Sequence, residues 1–299
     1  MRKALLPIML ISWSAYFVLC EFLIAQLNSP YFVGFLLRSG TLVILLIYNL
    51  ITKSFQNPFK GVKCGALLLV TALLSFSFDC LINIGLQFTS ASSGTALLRL
   101  EIIFVFLINS LVKKEKLGWL EYFFSGIMMV GAITIILGDI LTFSVDWWSL
   151  FFIASAFMNA ICAFLIKKIH DTYNIKSHNI AVVNNFVALL MYSLCTLVTY
   201  NFNFDVKNSL WNNILPLLGC TICQATLLLT YYKGLAIFKV WLIKVILLFI
   251  PVLTTVIQFF FFKMEFQIAQ IIGIGITILS GMALIIIECK KSEKDIKLS

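Results

Sequence analysis

The stretch Ala4–Gln26, ALLPIMLISWSAYFVLCEFLIAQ, is apolar for as long as a helix needs to cross a lipid bilayer. At a rise of about 1.5 Å per residue, about 20 apolar residues cover the roughly 30 Å of hydrocarbon. Arg2 and Lys3 ahead of it resemble the start of a signal peptide. The run nevertheless continues to Leu27 without a small-residue cleavage site, so it reads as a first membrane span.

Outward from this stretch the pattern repeats. Nine more segments qualify: Tyr31–Ile51, Gly65–Phe88, Ser92–Val112, Gly118–Gly138, Trp147–Ile166, Ile180–Tyr200, Ile214–Ile237, Val240–Phe262 and Gln267–Ile287. Backbone groups inside lipid must be satisfied within their own segment, which makes each of these a helix. The composition agrees, with 61% hydrophobic and 12% charged residues and a mean hydropathy of +1.03. A soluble domain carries about 25% charged residues. The expected fold is an all-α integral membrane protein of ten transmembrane helices joined by short connections, which leaves function to the bundle itself.

The net charge of +9 does not indicate nucleic acid, because Lys and Arg sit in short clusters between apolar segments and form no basic stripe. It reads instead as topology. Alternate connections hold Arg2, Lys3, Lys53, Lys60, Lys63, Lys113, Lys114, Lys116, Lys167, Lys168, Lys176, Lys233, Lys239, Lys290, Lys291, Lys294 and Lys297, whereas the opposite set holds only Lys207 and Lys263. Cytoplasmic loops retain positive charge, so both termini are expected in the cytoplasm. Trp147, Trp148 and Trp211 fit aromatic anchors on the outer side, and Trp119 fits one on the inner side. Most of the eight cysteines lie inside spans. The pair Cys220 and Cys223, without a second pair, reads as packing and not as a metal or redox site.

Two segments half a chain apart resemble each other. Lys113, Glu115, Gly131, Ile135 and Ile136 match Lys263, Glu265, Gly281, Ile285 and Ile286, and Gly85-Leu86 matches Gly234-Leu235. Five spans per half is an odd number, so the second half enters the membrane upside down. Inverted repeats of this kind place a binding site near the midplane between them. The expected divisions are residues 1–138 for the first repeat, 139–289 for the second and 290–299 for a basic cytoplasmic tail.

Each half ends in an apolar helix, a charged turn with Glu (Lys113-Lys114-Glu115, Lys263-Met264-Glu265) and a last helix containing Gly131 or Gly281. In this the chain resembles the EamA-type transporters of the drug/metabolite transporter superfamily. Pro251, followed by Glu265 and Gly281, looks like that family's second repeat, and Arg38 like its frequent arginine in span two. The chain departs from the pattern at Glu101, near the first-half counterpart of Pro251. The resemblance implies a secondary transporter whose substrate is an amino acid, a nucleotide-type metabolite or an organic cation.

Ionisable groups inside spans cost about 2.5–3.5 kcal/mol each on the insertion scale and face a bundle interior or wet cavity. Glu101, Arg99, Asp79 and Arg38 are therefore the leading substrate-binding or coupling candidates, while Glu21 and Lys244 lie nearer span ends, where snorkelling suffices. Arg99 and Glu101 stand about 200° apart on an ideal helix and should not pair with each other. Arg38 or Arg99 is expected to pair with Asp79 and fix the bundle. Glu101 is expected to face the cavity, there to hold a cationic group or carry a proton. For each of these charges the plainer alternative is a structural ion pair. Trp13 offers an indole N–H and a ring face to a planar or cationic substrate. Asn159 and Gln224 offer hydrogen bonds to the cavity or, more simply, between helices.

No G-x-x-x-x-G-K-[ST] loop is present, so ATP is not expected to drive transport. His170 and His178 stand apart from any carboxylate cluster, and neither metal nor cofactor is expected. The partners expected are a small-molecule substrate, membrane lipids and a coupling proton. The leading function is secondary active transport by alternating access across the cell inner (plasma) membrane. The competing classes are a membrane-embedded enzyme, for which no nucleophile and base are evident, and a scaffold that moves no solute.

Overall fold

A computed structural model describes residues 2–108, 118–137, 148–199 and 210–262, together with 268, 272–273, 275–276, 279–284 and 286–287, all of the latter helical. The helices are α1 (Arg2–Leu27), α2 (Pro30–Ile51), α3 (Val62–Leu86), α4 (Ala91–Leu98), α5 (Glu101–Ile108), α6 (Trp119–Leu137), α7 (Ser149–Tyr173), α8 (Ser177–Thr199), α9 (Ile214–Ile237), α10 (Val240–Leu247) and α11 (Ile250–Phe262). No strand occurs among the described residues. Among the described residues, seven helices are long and apolar enough to cross a membrane, with α10 and α11 together making the seventh. The other expected spans are the broken pair α4–α5, the 19-residue α6 and the partly described segment 267–287. The charged turns at 113–116 and 263–266 lie outside the described residues.

Local chemistry sets the helix ends. Asn28 takes φ 51°, and its N–H caps Ile24 O at 2.9 Å. Ser29 Oγ then accepts from Phe32 N at 3.2 Å, and Pro30 occupies the first helical position, where a missing N–H costs nothing. So tight a connection makes α1 and α2 antiparallel neighbours. Ser90 caps α4 in the same way, accepting from Ser93 N, and Asn174 closes α7 with φ 49°. At the start of α6, Glu121 reaches back to accept from Gly118 N at 2.5 Å.

The principal pairings join α3 to α7, α1 to α9 and α2 to α8, followed by α3 with α8, α2 with α9, α5 with α7 and α1 with α11. Exchanging the two halves of the chain maps α3–α7 onto α1–α9, α3–α8 onto α2–α9 and α5–α7 onto α1–α11, and maps α2–α8 onto itself. Close approach depends on small residues: a Cβ at Gly34 would collide with the Tyr192 ring, and one at Gly85 would stand 2.5 Å from Phe152.

Two of the apolar segments are broken near their middle. Residues 99–100 interrupt α4–α5 and residues 248–249 interrupt α10–α11, an offset of 149 (248 less 99), shared with the Gly85-Leu86 and Gly234-Leu235 match. Around both breaks the ladder tightens to i−3 bonds: Arg99 N to Ala96 O at 3.1 Å and Leu248 N to Val245 O at 3.1 Å. Pro251 accounts for the second break, since it has no N–H to offer the carbonyl of Leu247. The first break contains no proline. There Arg99 Nε donates to Thr95 O at 3.1 Å.

Candidate functional site

Two polar clusters lie among the apolar helices. The first centres on Asp79 of α3. Arg38 of α2 meets it with Nη2 at 2.8 Å and Nε at 3.2 Å. Tyr192 of α8 donates its hydroxyl to Asp79 Oδ2 at 2.8 Å, and Tyr16 of α1 donates to Oδ1 at 3.2 Å. Around these groups, Asn185 accepts from Arg38 Nη1 at 3.1 Å, and Gln224 of α9 donates to Tyr16 Oη at 3.3 Å while accepting from Thr41 at 2.7 Å. Arg38 and Asp79 are each 4% exposed, and their charges balance. A buried ion pair persists only with such complete hydrogen bonding.

The second cluster centres on Glu101 at the start of α5. Lys244 of α10 donates to Oε2 at 2.8 Å, Asn159 of α7 to Oε2 at 2.6 Å and Arg99 to Oε1 at 3.2 Å. Lys244 also donates to Tyr231 Oη at 2.8 Å, and Tyr231 in turn donates to Asn159 Oδ1 at 3.4 Å. Arg99 Nη1 donates to Leu247 O at 3.0 Å, the carbonyl that Pro251 leaves without an N–H. The side chain at one break thus caps the other. Two cations here face one carboxylate, with all three residues at most 1% exposed.

Between the clusters lies a cavity of about 40 Å³, enough for one or a few waters on a measure by which a single water needs about 10–15 Å³. Trp13, Tyr16, Arg38, Asp79, Asn159 and Gln224 are in its wall, as is Tyr231. Both halves of the chain contribute: α1, α2 and α3 from one, α7 and α9 from the other. Trp13 packs edge-on against Tyr231 with centroids 5.0 Å apart.

The expected pairing of an arginine with Asp79 is made by Arg38. Four expectations are corrected. Arg99 and Glu101 do pair, because the turn at 99–100 removes the regular rotation that would hold them apart. Glu101 is absent from the cavity wall; three donors hold its carboxylate behind Asn159 and Tyr231. Lys244 does not snorkel. It is fully buried, and its ammonium sits 5.1 Å from the Tyr231 ring centroid. Glu21 likewise has work inside the bundle, accepting from Ala91 N at 3.1 Å and Gln258 Nε2 at 2.7 Å. Cys220 and Cys223 form no disulfide.

Sequence reasoning passed over Tyr16, Asn185, Tyr192 and Tyr231. Tyrosines in spans are common enough to look like packing, and their hydroxyls gain significance only once a carboxylate is placed beside them. Lys244 was the one available signal, a lone cation in VWLIKVILLFIP close to Pro251.

Helices of this length and apolarity, packed around buried ion pairs and a small polar cavity, define a polytopic membrane protein. The sequence model of the EamA-like transporter family matches residues 4–137. Over those residues the chain is similar to the EamA-like transporter family, in line with the resemblance seen in the sequence. A solved structure titled only as the crystal structure of a protein shares the fold, with TM-score 0.74 at 13% identity over 96% of this chain and 99% of that one. No curated protein matches the sequence.

Proposed function

We propose that the protein is a secondary transporter that carries a small metabolite across the membrane by alternating access, with the central cavity as its binding site. The observation that carries this reading is the cavity itself: a polar chamber inside apolar helices, walled by both halves and too small here for a metabolite. Such a chamber is useful to a transporter that widens it toward one side at a time. The matched breaks at 99–100 and 248–249, and helix pairings that survive exchange of the halves, support a pair of inverted five-span repeats making ten spans. Lysine placement supports cytoplasmic termini and a multi-pass location in the cell inner membrane. A coupling proton is part of the proposal.

In this reading Arg38 and Asp79 hold one wall while Asn159, Gln224 and Trp13 present hydrogen bonds and a ring face to the solute. Glu101, Arg99 and Lys244 act from behind Asn159 and Tyr231. The test is flux in proteoliposomes loaded with candidate solutes, comparing wild type with Gln224→Leu. Solute movement that the variant lowers or alters in selectivity supports the proposal. No flux for amino acids, nucleotide-type metabolites or organic cations would sink it.

A further inference from the structure

At one end of the bundle, away from the central cavity, a second and larger pocket of about 620 Å³ opens, within the range of about 300–1,000 Å³ usual for ligand sites. Its wall is formed by Lys176, Lys233, His170 and His178 together with Tyr48, Thr52, Ser54 and Thr230, and holds no Asp or Glu among the described residues. Neither lysine ammonium has an ion-pair partner among the described residues. His170 Nδ1 lies 2.9 Å from Ile175 O and His178 Nε2 lies 3.2 Å from Ser54 O. A carbonyl only accepts, so those nitrogens carry hydrogens, and the second nitrogen of each ring is uncommitted. Helix α8 starts at Ser177 in the same wall, adding the positive end of its dipole.

Lysines at a cytoplasmic end also follow from topology alone. Two further observations raise this group above that explanation. The basic groups converge on a concave wall together with a helix start, where loop charges would scatter. In addition, the pocket shares helices with the route inward: α1 gives Ile8 to the pocket and Trp13 to the cavity, and α9 gives Thr230 and Lys233 to one and Tyr231 to the other. Five residues of α1 amount to about 7.5 Å along its axis. Behind Tyr231 waits the buried cluster with one cation in excess of its carboxylate. That cluster adds one net positive charge behind the cavity wall.

We infer that this pocket is an oxyanion-binding vestibule, so that the solute carried is an organic anion bearing a carboxylate or phosphate group. The inference rests on the transport reading and narrows it. Lys176 and Lys233 recruit the anionic group through charge-assisted bonds, and the apolar side of the pocket, with Leu5, Ile8 and Leu229, accommodates the rest of the molecule.

The test titrates the full-length protein, in nanodiscs of phosphatidylcholine, with inorganic phosphate and with succinate by calorimetry. The expected result is saturable binding of at least one probe, weakened about tenfold or more by K176Q/K233Q. K63Q/K168Q, at a separate cleft, is expected to leave it unchanged. No saturable binding of either probe, or equal loss in both double variants, overturns the inference. A third arm adds phosphatidylglycerol to the disc. Lysine-dependent retention of that lipid with no probe bound makes the pocket a lipid seat and also overturns it. The flux assay is read separately: flux without probe binding removes the anion and leaves transport standing, whereas binding without flux removes transport.

Discussion

Replacing Glu101 and replacing Lys244 should have very different consequences, although the two residues form one ion pair. Glu101→Gln keeps the shape but leaves Arg99 and Lys244 as two buried cations without a carboxylate. Stranding a buried charge costs about 3–5 kcal/mol. Lys244→Met removes the surplus cation and leaves Glu101 with Arg99 at 3.2 Å and Asn159 at 2.6 Å, a neutral and still bonded set. Two hydrogen bonds are lost, worth about 0.5–1.5 kcal/mol each, while a desolvated ammonium disappears, so the net cost should stay below about 2 kcal/mol. E101Q/K244M should then be less destabilised than the sum of the single changes by more than about 1 kcal/mol, since neighbours in one ion network couple by about 0.5–3 kcal/mol. Unfolding by sodium dodecyl sulfate titration in mixed micelles measures this, with Trp13, packed on Tyr231, as a nearby fluorescent reporter. Equal costs for the two single variants, or additivity within about 0.5 kcal/mol, would refute the charge count.

Tyr192→Phe removes one donor to Asp79 and the acceptor used by Asn83, and should lower stability by about 1–3 kcal/mol in the same titration. Gly34→Ala forces a methyl group into the Tyr192 ring and should cost about 1–3 kcal/mol; Tyr192→Leu in the same chain should recover part of that loss, and the paired melting curves decide it. Pro251→Ala restores an N–H that can compete with Arg99 for Leu247 O, so it should preserve or raise thermal stability while reducing proteoliposome flux. A variant with unchanged flux would separate the break from transport.

The architecture was legible because lipid imposes a coarse rule: a run such as Val62–Leu86 has no other stable conformation inside hydrocarbon. That an arginine, Arg38 or Arg99, would pair with Asp79 was legible for a related reason, since charges in such runs must find each other. What could not be read was anything that depends on a departure from helical regularity. The turn at 99–100 has no Pro or Gly to announce it, so ideal geometry separated Arg99 from Glu101 when the chain in fact joins them. Lys244 lies only four residues into α10, and distance along the chain said nothing of the neighbouring Glu101, 143 residues earlier. The vestibule groups come from five helices and the two connections that carry Thr52, Ser54 and Lys176, a convergence no spacing records.

The cross-capped breaks make the two halves unequal in biosynthesis. The leading half contains Arg38 with Asp79 and Arg99 with Glu101, so when it leaves the ribosome these two pairs are already matched within it. The trailing half brings Lys244 and a proline-exposed carbonyl, and both find their partners only on helices made earlier. The order of translation therefore delivers the acceptor before the charge that needs it, and a chain split near its midpoint would leave the later fragment dependent on the earlier one for a stable seat in lipid.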